Sequence, residues 1–237
     1  MCGRFAASAL TDDLVEAFGV DVVVDEPQPS FNLAPTDPVP AVLERAEQAE
    51  GSPVRKLLTP RWGLVPSWST DARQGARMIN ARVETVVEKP AFRKAVVARR
   101  CLIPADGFYE WSSVPAARGG KPVKQPWFIR PAGGGMLVMA GLYEFWKDRS
   151  DPDASWLTTC TIITTEATDA LGALHDRMPM VVRPADWAAW LDPTKVDPQA
   201  VIGLLDVDHG TQLETYPVSR AVNSVRNDGE ALLKPLG

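Results

Sequence analysis

Cysteine and histidine are scarce in this sequence, which limits the disulfide and metal chemistry available to it. The chain of 237 residues contains three cysteines and two histidines. Cys2, Cys101 and Cys160 form no CxxC pair, so a disulfide framework is not expected, and a reducing compartment such as the cytoplasm fits best. His175 and His209 lie too far apart in sequence to suggest a structural metal site. We therefore predict no metal and no other cofactor.

Long apolar runs are also missing. No stretch approaches the roughly 20 residues that a membrane-spanning helix needs. The first ten residues lack the basic segment and the following apolar run of a secretory signal. We therefore expect a cytoplasmic protein without a membrane partner.

The charge balance is slightly acidic. Lys and Arg number 25 against 30 Asp and Glu, for a formal net charge of -5. This excludes a polycationic protein that coats nucleic acid over its whole surface. Hydrophobic residues at 45% and charged residues at 23% are typical of a soluble globular protein. Because no segment has the composition of a linker, we predict one domain over residues 1–237.

Short apolar runs separated by proline and glycine predict many strands and few helices. The predicted strands are Val39–Arg45, Val54–Leu58, Arg100–Pro104, Phe108–Ser112, Trp127–Arg130, Met136–Phe145, Thr158–Thr164 and Leu213–Val218, and the predicted helices are Thr11–Gly19, Ala91–Arg99, Asp169–Leu174 and Ala185–Leu191. Thr11 is the predicted cap of the first helix, and Ala116–Gln125 is predicted to be a loop. Because strands mostly follow strands directly, the order predicts an antiparallel sheet system with helices outside it.

The second residue is a cysteine, and its position can give it two reactive groups. Removal of Met1, which a small second residue permits, would leave Cys2 with a thiol and a free α-amine. Their unperturbed pKa values are about 8.5 and 7.7–8.0. Such an aminothiol condenses with an aldehyde: the amine forms an imine, and the thiol then closes a five-membered thiazolidine ring. Alternatively, Cys2 is incidental, or it is the nucleophile of a class II glutamine amidotransferase, although the substrate-binding motifs of those enzymes are not found.

Basic residues concentrate in one part of this acidic chain. Eight of them lie between positions 73 and 100, against two glutamates: Arg73, Arg77, Arg82, Lys89, Arg93, Lys94, Arg99 and Arg100. Trp62 and Trp68 lie just before this cluster. Cations interleaved with aromatic rings suit a groove for single-stranded nucleic acid, where phosphates meet cations and bases stack. The alternative is a solvated helix face beside core tryptophans.

Three polar residues have neighbours that favour a chemical role. Glu110 lies in an aromatic strand, where burial would raise its pKa and make it an acid or a base; alternation also allows a solvent-facing glutamate. His175 precedes a proline-constrained turn and can act as an acid or a base, or it can cap the preceding helix. Asn80 lies within the basic cluster and could instead be a turn residue.

Together and in this order, these segments resemble the SOS response-associated peptidase family, whose members are also called abasic-site processing proteins. The matching segments are Met1-Cys-Gly-Arg-Phe5, Asn32-Leu-Ala-Pro35, Trp62-Gly-Leu-Val-Pro66, Ile79-Asn-Ala-Arg-Val-Glu-Thr85, Cys101-Leu-Ile-Pro104, Gly107-Phe-Tyr-Glu-Trp111, Leu174-His-Asp-Arg-Met-Pro179 and Pro217-Val-Ser-Arg220. The resemblance extends from Cys2 to about Asn227, and the combined pattern is highly specific.

The resemblance implies a single α+β domain with curved, mainly antiparallel sheets, a barrel-like core and peripheral helices. It implies a DNA-damage protein of the SOS response that binds single-stranded DNA and cross-links covalently to abasic sites through Cys2. The family name also records a thiol autopeptidase activity that releases Met1. The implied partner is single-stranded DNA containing abasic sites, and the implied location is the cytoplasm, on the nucleoid when DNA is bound.

The resemblance also implies roles for individual residues. Cys2 would be the nucleophile, Asn80 would hold its amine or backbone, and Glu110 and His175 would transfer protons. The implied DNA groove is lined by Arg4, Trp68 and Arg82, with Asn32, Pro35, Thr164, Ser219 and Arg220 close to the site. One departure is Ser69, because some members have a second aromatic residue directly after the position of Trp68.

Two interpretations from other classes stand beside this one. An N-terminal-nucleophile amidohydrolase or peptidase would use Cys2 but would not need a basic groove. A non-covalent single-stranded DNA-binding module would need the groove but not Cys2. The sequence does not identify a protein partner.

Overall fold

A computed structural model describes residues 2–46, 52–115, 120–167, 169–172, 174–205 and 212–236. The strands are β1 Phe5–Ala7, β2 Val22–Val23, β3 Ser30–Leu33, β4 Ala41–Ala46, β5 Pro53–Leu58, β6 Arg61–Trp62, β7 Asn80–Arg82, β8 Arg100–Ala105, β9 Gly107–Val114, β10 Val123–Pro131, β11 Leu137–Trp146, β12 Leu157–Glu166, β13 Arg177–Pro179 and β14 Leu213–Pro217. The α-helices are α1 Thr11–Phe18, α2 Arg93–Ala98, α3 Asp169–Gly172, α4 Trp187–Leu191 and α5 Pro198–Ile202. In these ranges, no helix has the length and apolar character needed to cross a membrane.

The strands form two sheets. The first has the order β14-β10-β9-β1-β3, and the second has the order β13-β12-β11-β8-β4-β5-β2 with β6 and β7 also paired to β12. The pairs β6–β12, β7–β12 and β2–β5 are parallel, and the other pairs are antiparallel. Over the described residues neither sheet closes into a barrel. The predicted α+β class with mainly antiparallel sheets is confirmed.

The main core combines residues of both sheets. Phe5 and Phe108 of the first sheet belong to the same buried cluster as Ile103 and Cys160 of the second. A second cluster lies under the helices, where residues such as Trp190 of α4 pack with the second sheet. Burial of apolar surface, at about 25 cal/mol per Å², is the main force that holds these layers together. The helices are therefore peripheral, as predicted.

Most of the longer predicted elements are present, with changes at their ends. Gly19 ends α1 in the left-handed conformation (φ 60°), as predicted. The predicted cap Thr11 is wrong, because Leu10 is the N-cap residue, and the acidic side chains of the first turn favour this helix end instead. The predicted loop at 116–125 is also wrong at its end, since Val123 already pairs with Val114 in the β9–β10 hairpin. Residues 116–119 and His209 lie outside the described ranges.

Candidate functional site

Cys2 lies just before β1, at the boundary between the two sheets. Its side chain is fully buried in the main core. β1 pairs with β9 so that Phe5 lies opposite Phe108, and continuing this register brings the start of the chain alongside Glu110. From the second sheet, Asn80 Nδ2 donates a hydrogen bond of 2.8 Å to the backbone oxygen of Cys2. The two sheets therefore meet at Cys2.

Asn80 is positioned by the parallel pairing of β7 with β12, in which it lies opposite Ile162. The indole of Trp62 donates to the oxygen of Ile79 at 2.9 Å and is fully buried. Trp62 therefore belongs to the core, which is the alternative to a stacking role that the sequence left open. The Asn80 Oδ1 atom is buried and accepts no hydrogen bond from the described residues. It can therefore accept an N–H from a ligand.

Glu110 is 5% exposed on β9, so the alternative of a solvent-facing glutamate is wrong. Burial raises its pKa to about 7, and the carboxylate of Asp176 contributes in the same direction. A carboxyl group with this pKa is partly protonated at neutral pH. It can therefore both accept and donate a proton.

The pKa of the Cys2 thiol is raised, whereas reactive thiolates have a lowered pKa. Burial raises the pKa of the Cys2 thiol, and the nearby Glu110 carboxylate raises it further. The sulfur is therefore protonated at neutral pH. Because the two groups interact electrostatically, Cys2 and Glu110 share one small region of the site.

His175 lies in the turn between α3 and β13. Its Nδ1 accepts a hydrogen bond of 3.0 Å from the backbone N–H of Arg177, and Asp176 Oδ1 lies 2.9 Å from the same nitrogen. Burial lowers the pKa of His175, so the neutral ring dominates at neutral pH. The backbone N–H of His175 donates to Leu171 and so closes α3. Helix capping is thus done by the backbone.

Arg177 braces this turn and is absent from the site residues predicted from sequence. Its buried guanidinium binds both carboxylate oxygens of Glu84, at 2.7 and 3.0 Å. It also donates to the backbone oxygen of Thr164 at 2.6 Å. These bonds join β13 to β12 and to the loop after β7. Arg177 was visible in the motif that contains His175, but its burial and its partners depend on pairing between distant strands.

Arg4 and Asn32, both predicted to lie at the DNA groove, hold the C-terminal segment against the first sheet. Arg4 donates to Asn32 Oδ1 at 2.7 Å and to the oxygen of Val222 at 2.9 Å. Asn32 in turn donates to the oxygens of Ser224 and Asn227 at 3.0 and 2.7 Å. Each residue thus has a structural role, and its contact with DNA stays a prediction.

Pro35 is the first central residue of a tight turn in which the N–H of Asp37 donates to the oxygen of Ala34 at 3.1 Å. The second central residue, Thr36, has a φ of 80°. Turns of this kind prefer glycine or asparagine there. A β-branched residue in this conformation is strained, and such strain often accompanies functional sites.

The other predicted groove residues differ in exposure. Trp68 is 59% exposed, and Arg82, at the end of β7, borders an open cavity of about 390 Å³ together with Asp176. Arg220 is exposed at the start of a 3-10 helix that Ser219 caps by accepting from a backbone N–H. Thr164 is buried. The exposed members can reach a ligand directly, whereas Thr164 acts through its backbone.

Two of the eight clustered basic residues do not face a groove. Arg100 is buried and donates to the backbone oxygens of Val96 and Trp190, in the last turns of α2 and α4. Arg99 pairs with Glu144 at 2.7 Å. These arginines hold the helices in place, so the cationic surface is smaller than the sequence suggests.

No group of three or more His, Cys, Asp or Glu side chains able to hold a metal ion occurs in the described ranges.

The family model for SOS response associated peptidase (SRAP) matches residues 1–225. The abasic site processing protein YoqW of Bacillus subtilis (strain 168) is 39% identical over 236 residues, which cover 99% of each chain. The abasic site processing protein YedK of Escherichia coli (strain K12) is 32% identical over 242 residues, which cover both chains completely.

The comparison extends to eukaryotes and to solved structures. The abasic site processing protein HMCES of Gallus gallus is 33% identical, over 88% of this chain and 67% of that protein. The crystal structure of a protein from Bacteroides thetaiotaomicron shares the fold with a TM-score of 0.79 and 22% identity, over 99% of this chain and 100% of that one. The family match over almost the whole sequence, supported by these relatives, shows that this chain belongs to the SOS response-associated peptidase family.

Proposed function

We propose that this protein binds single-stranded DNA and forms a covalent thiazolidine with a ring-opened abasic site through Cys2. The observation that carries this proposal is the convergence of Cys2, Asn80 and Glu110, with Asn80 2.8 Å from the Cys2 oxygen and Glu110 buried beside the thiol. An abasic site supplies the aldehyde with which an N-terminal aminothiol reacts. The names of the relatives, abasic site processing proteins, support this choice of substrate.

The first step is opening of the sugar. An abasic site exchanges between a closed hemiacetal and an open C1′ aldehyde, and opening requires a proton on the ring oxygen as the C1′ hydroxyl loses its own. We assign the acid role to His175. Its lowered pKa makes the protonated ring a stronger acid, although a smaller fraction of the molecules carries that proton at neutral pH.

The second step joins nitrogen to carbon. After Met1 is removed, the α-amine of Cys2 attacks C1′, and a carbinolamine forms. Glu110 accepts a proton from the nitrogen and returns it to the departing hydroxyl, so that water leaves and an imine remains. With a pKa of about 7, Glu110 suits both transfers. The buried Oδ1 of Asn80 is suited to accept an N–H of the attacking amine.

The third step closes the ring. The thiol of Cys2 adds across the imine: the sulfur bonds to C1′, and its proton passes to the nitrogen, with Glu110 as the relay. Since burial keeps the sulfur protonated until this point, we infer that the amine reacts before the thiol. The overall change is the condensation of an aldehyde with an aminothiol and the loss of one water.

A denaturing gel tests this proposal. The protein is incubated with an oligonucleotide that carries an abasic site, and a heat-stable shifted band is expected. Cys2→Ala should lose the band, whereas Cys160→Ala, which removes another buried thiol, should keep it. An N-terminal-nucleophile hydrolase or a non-covalent DNA-binding module would give no band in either case.

Borohydride trapping tests the order of the steps. Cys2→Ser, prepared with Met1 already removed so that its α-amine is free, should form an imine that borohydride reduces to a stable adduct, but it should not form the thiazolidine. If Cys2→Ser traps nothing while its amine is free, attack starts at sulfur, and the roles of Glu110 and His175 must be reassigned.

We further propose that release of Met1 is the thiol autopeptidase activity recorded in the family name, which is a hydrolase reaction, and that the cross-linking activity is of the lyase type. Intact-mass analysis should show the loss of one methionine. Synthesis in a cell-free system without aminopeptidase should still release Met1 from the parent protein but not from Cys2→Ala. Retention of Met1 in a protein that still cross-links would contradict the thiazolidine mechanism. We also propose that the protein is located in the cytoplasm and is associated with the nucleoid when it is bound to DNA.

A further inference from the structure

A second exposed tryptophan borders a cavity next to the segment that carries Trp68. Trp156, just before β12, is 69% exposed. With Ser67 and residues of the β11–β12 loop, it lines an open cavity of about 390 Å³, here called the Trp156 cavity. Ser67 directly precedes Trp68, which is itself 59% exposed. The Trp156 cavity therefore extends to the residue next to Trp68.

The backbone of the segment that carries Trp68, between Gly63 and Gly75, is constrained by close contacts. A Cβ atom on Gly75 would lie 2.3 Å from the oxygen of Gly63, so the two backbones touch at the base of the segment and only glycine fits there. Ser69 is 8% exposed, and its backbone oxygen accepts a hydrogen bond of 2.7 Å from the indole of Trp146. Ser69 therefore offers no stacking surface beside Trp68.

The loop that carries Trp156 is braced by its own polar groups. Lys147 Nζ donates to the oxygen of Pro152 at 3.1 Å, and the hydroxyl of Ser150 donates to Asp148 at 2.6 Å. These bonds order the loop before any ligand arrives. The entropy lost when a ligand docks on Trp156 is correspondingly small.

The charges around the Trp156 cavity nearly balance. Lys147 and Arg149 contribute two positive charges, and Asp148 and Asp151 contribute two negative ones. A phosphate gains little from such a mixture, whereas a neutral aromatic ring can stack on the indole without meeting a net charge. Every nucleobase has a face that can do this, whatever the sequence.

We propose that the Trp156 cavity is a stacking subsite for an unpaired base of the bound DNA strand, adjacent to the one that meets Trp68. The inference rests on the proposed binding of single-stranded DNA. In this arrangement, Trp156 supplies from the β11–β12 loop the second aromatic face that Ser69 does not offer. Binding at this subsite holds a nucleotide that lies beyond the two immediate neighbours of the lesion and takes no part in the chemistry at Cys2.

Fluorescence anisotropy with strands of different length tests the subsite. The titrations use Cys2→Ala protein, which cannot form the thiazolidine, and labelled single strands that carry a tetrahydrofuran analogue of the abasic site. One probe is a trinucleotide centred on the analogue, and two others are extended by about five nucleotides on the 5′ or the 3′ side. Trp156→Ala should weaken binding about tenfold for one extended probe. It should leave the trinucleotide and the other extended probe unchanged.

Two variants separate stacking from general effects. Trp156→Tyr keeps an aromatic face and should bind all probes as the parent does. Val196→Ala, at another exposed apolar residue, should also change nothing. Equal affinity of Trp156→Ala and the parent for every probe would overturn the inference, and so would an equal loss on all probes.

The outcome is distinguishable from that of the proposed function. If the Cys2-dependent band forms on the denaturing gel while Trp156→Ala binds every probe normally, the subsite is wrong and the cross-linking function stands. If no band forms but the length-dependent loss is seen, the subsite stands and the cross-linking chemistry is wrong.

Discussion

At the scale of single residues, burial rather than charge pairing sets the proton affinities of the candidate site. Burial raises the pKa of Glu110 to about 7, raises that of the Cys2 thiol, and lowers that of His175. Each shift favours the neutral form of the group. Of the three groups, only Glu110 is thereby brought near half-protonation at neutral pH, whereas the Cys2 thiol stays protonated and the His175 ring stays neutral.

Glu110 should control the pH dependence of cross-linking. The rate should change with an apparent pKa near 7, and Glu110→Gln, which keeps the shape of the side chain, should remove this dependence. The cross-linking rate of Glu110→Gln should be about 10²–10⁴-fold lower than that of the parent, while its affinity for intact single strands stays the same. Single-turnover gels between pH 5.5 and about 8.5 measure this. A variant that cross-links at the parent rate would exclude Glu110 from proton transfer.

The same carboxyl group should affect stability. Its folded pKa of about 7 exceeds the usual value of 4.5, so the native state binds the proton more tightly than the unfolded state. The stability contributed by the protonated group is complete below about pH 4.5 and is lost as the pH rises through about 7. Glu110→Gln has no such loss. As the pH rises over this range, the free energy of unfolding of the variant should therefore increase relative to that of the parent by on the order of 2–3 kcal/mol. Urea denaturation at several pH values measures the difference, and a constant difference would contradict the buried, neutral carboxyl.

Thr36 should be a site where stability can be gained. Its φ of 80° is unfavourable for a β-branched residue and acceptable for asparagine. Thr36→Asn should stabilise the protein by about 1 kcal/mol, whereas Thr36→Val, which keeps the branch, should not. Thermal unfolding of both variants tests this. Equal melting temperatures for Thr36→Asn and Thr36→Val would show that the turn is not strained.

Sequence patterns identify the candidate reactive residues better than they identify the residues that hold them in place. Cys2, Asn80 and Glu110 stand out by residue type within short motifs, and the structure brings them together. Trp62 and Trp68 are the same residue type six positions apart, and only the pairing of β6 with β12 makes one of them core and leaves the other exposed. Such distinctions depend on contacts between distant segments, which residue type does not encode.

At the scale of elements, the longest strands were predicted from sequence and the shortest were not. β8 to β12 have apolar runs long enough to show a pattern, whereas β1, β7 and β13 have three residues each. A run of three residues carries no measurable periodicity. These short strands nevertheless position Cys2, Asn80 and the turn of His175, so the local order of the site was the part least accessible from sequence.

Arg100 should be a structural anchor of α2 and α4. Its buried guanidinium satisfies backbone oxygens that end both helices, including those of Val96, Val97 and Trp190. Arg100→Met fills a similar volume but leaves these oxygens without a donor, and it should cost about 3 kcal/mol of stability. Arg93→Met, at an exposed position on α2, should change stability by less than about 0.5 kcal/mol. Urea denaturation compares the two, and a similar small cost for both would remove Arg100 from this role.

At the scale of the whole molecule, an acidic protein must bind an acidic polymer through a small cationic surface. Arg82 is the exposed arginine next to Asn80, and we expect it to contact phosphate. If about three phosphates are neutralised, the log–log salt slope for a single strand should be about -2. Arg82→Ala should reduce the magnitude of this slope by about 0.7 and weaken binding to intact and abasic strands alike.

Arg93→Ala is the control for this measurement, since it removes the same charge from α2, where no contact with DNA is expected. Affinities of both variants are measured over a range of salt concentrations. An unchanged affinity of Arg82→Ala at low salt would remove Arg82 from the groove. An equal effect of both variants would mean that net charge, and not position, governs binding.

Cys2 lies just before β1 and Glu110 on β9 of the first sheet, whereas Asn80 lies on β7 of the second sheet and His175 in the turn before β13. Neither sheet alone holds all four of these candidate residues, so the packing of the two sheets sets their alignment. Sliding of one sheet over the other should therefore stop the proposed cross-linking before the strands themselves unfold. A heated sample should therefore lose the proposed cross-linking at or just below the temperature at which the two sheets separate. Loss of the reaction would then report on the packing between the sheets.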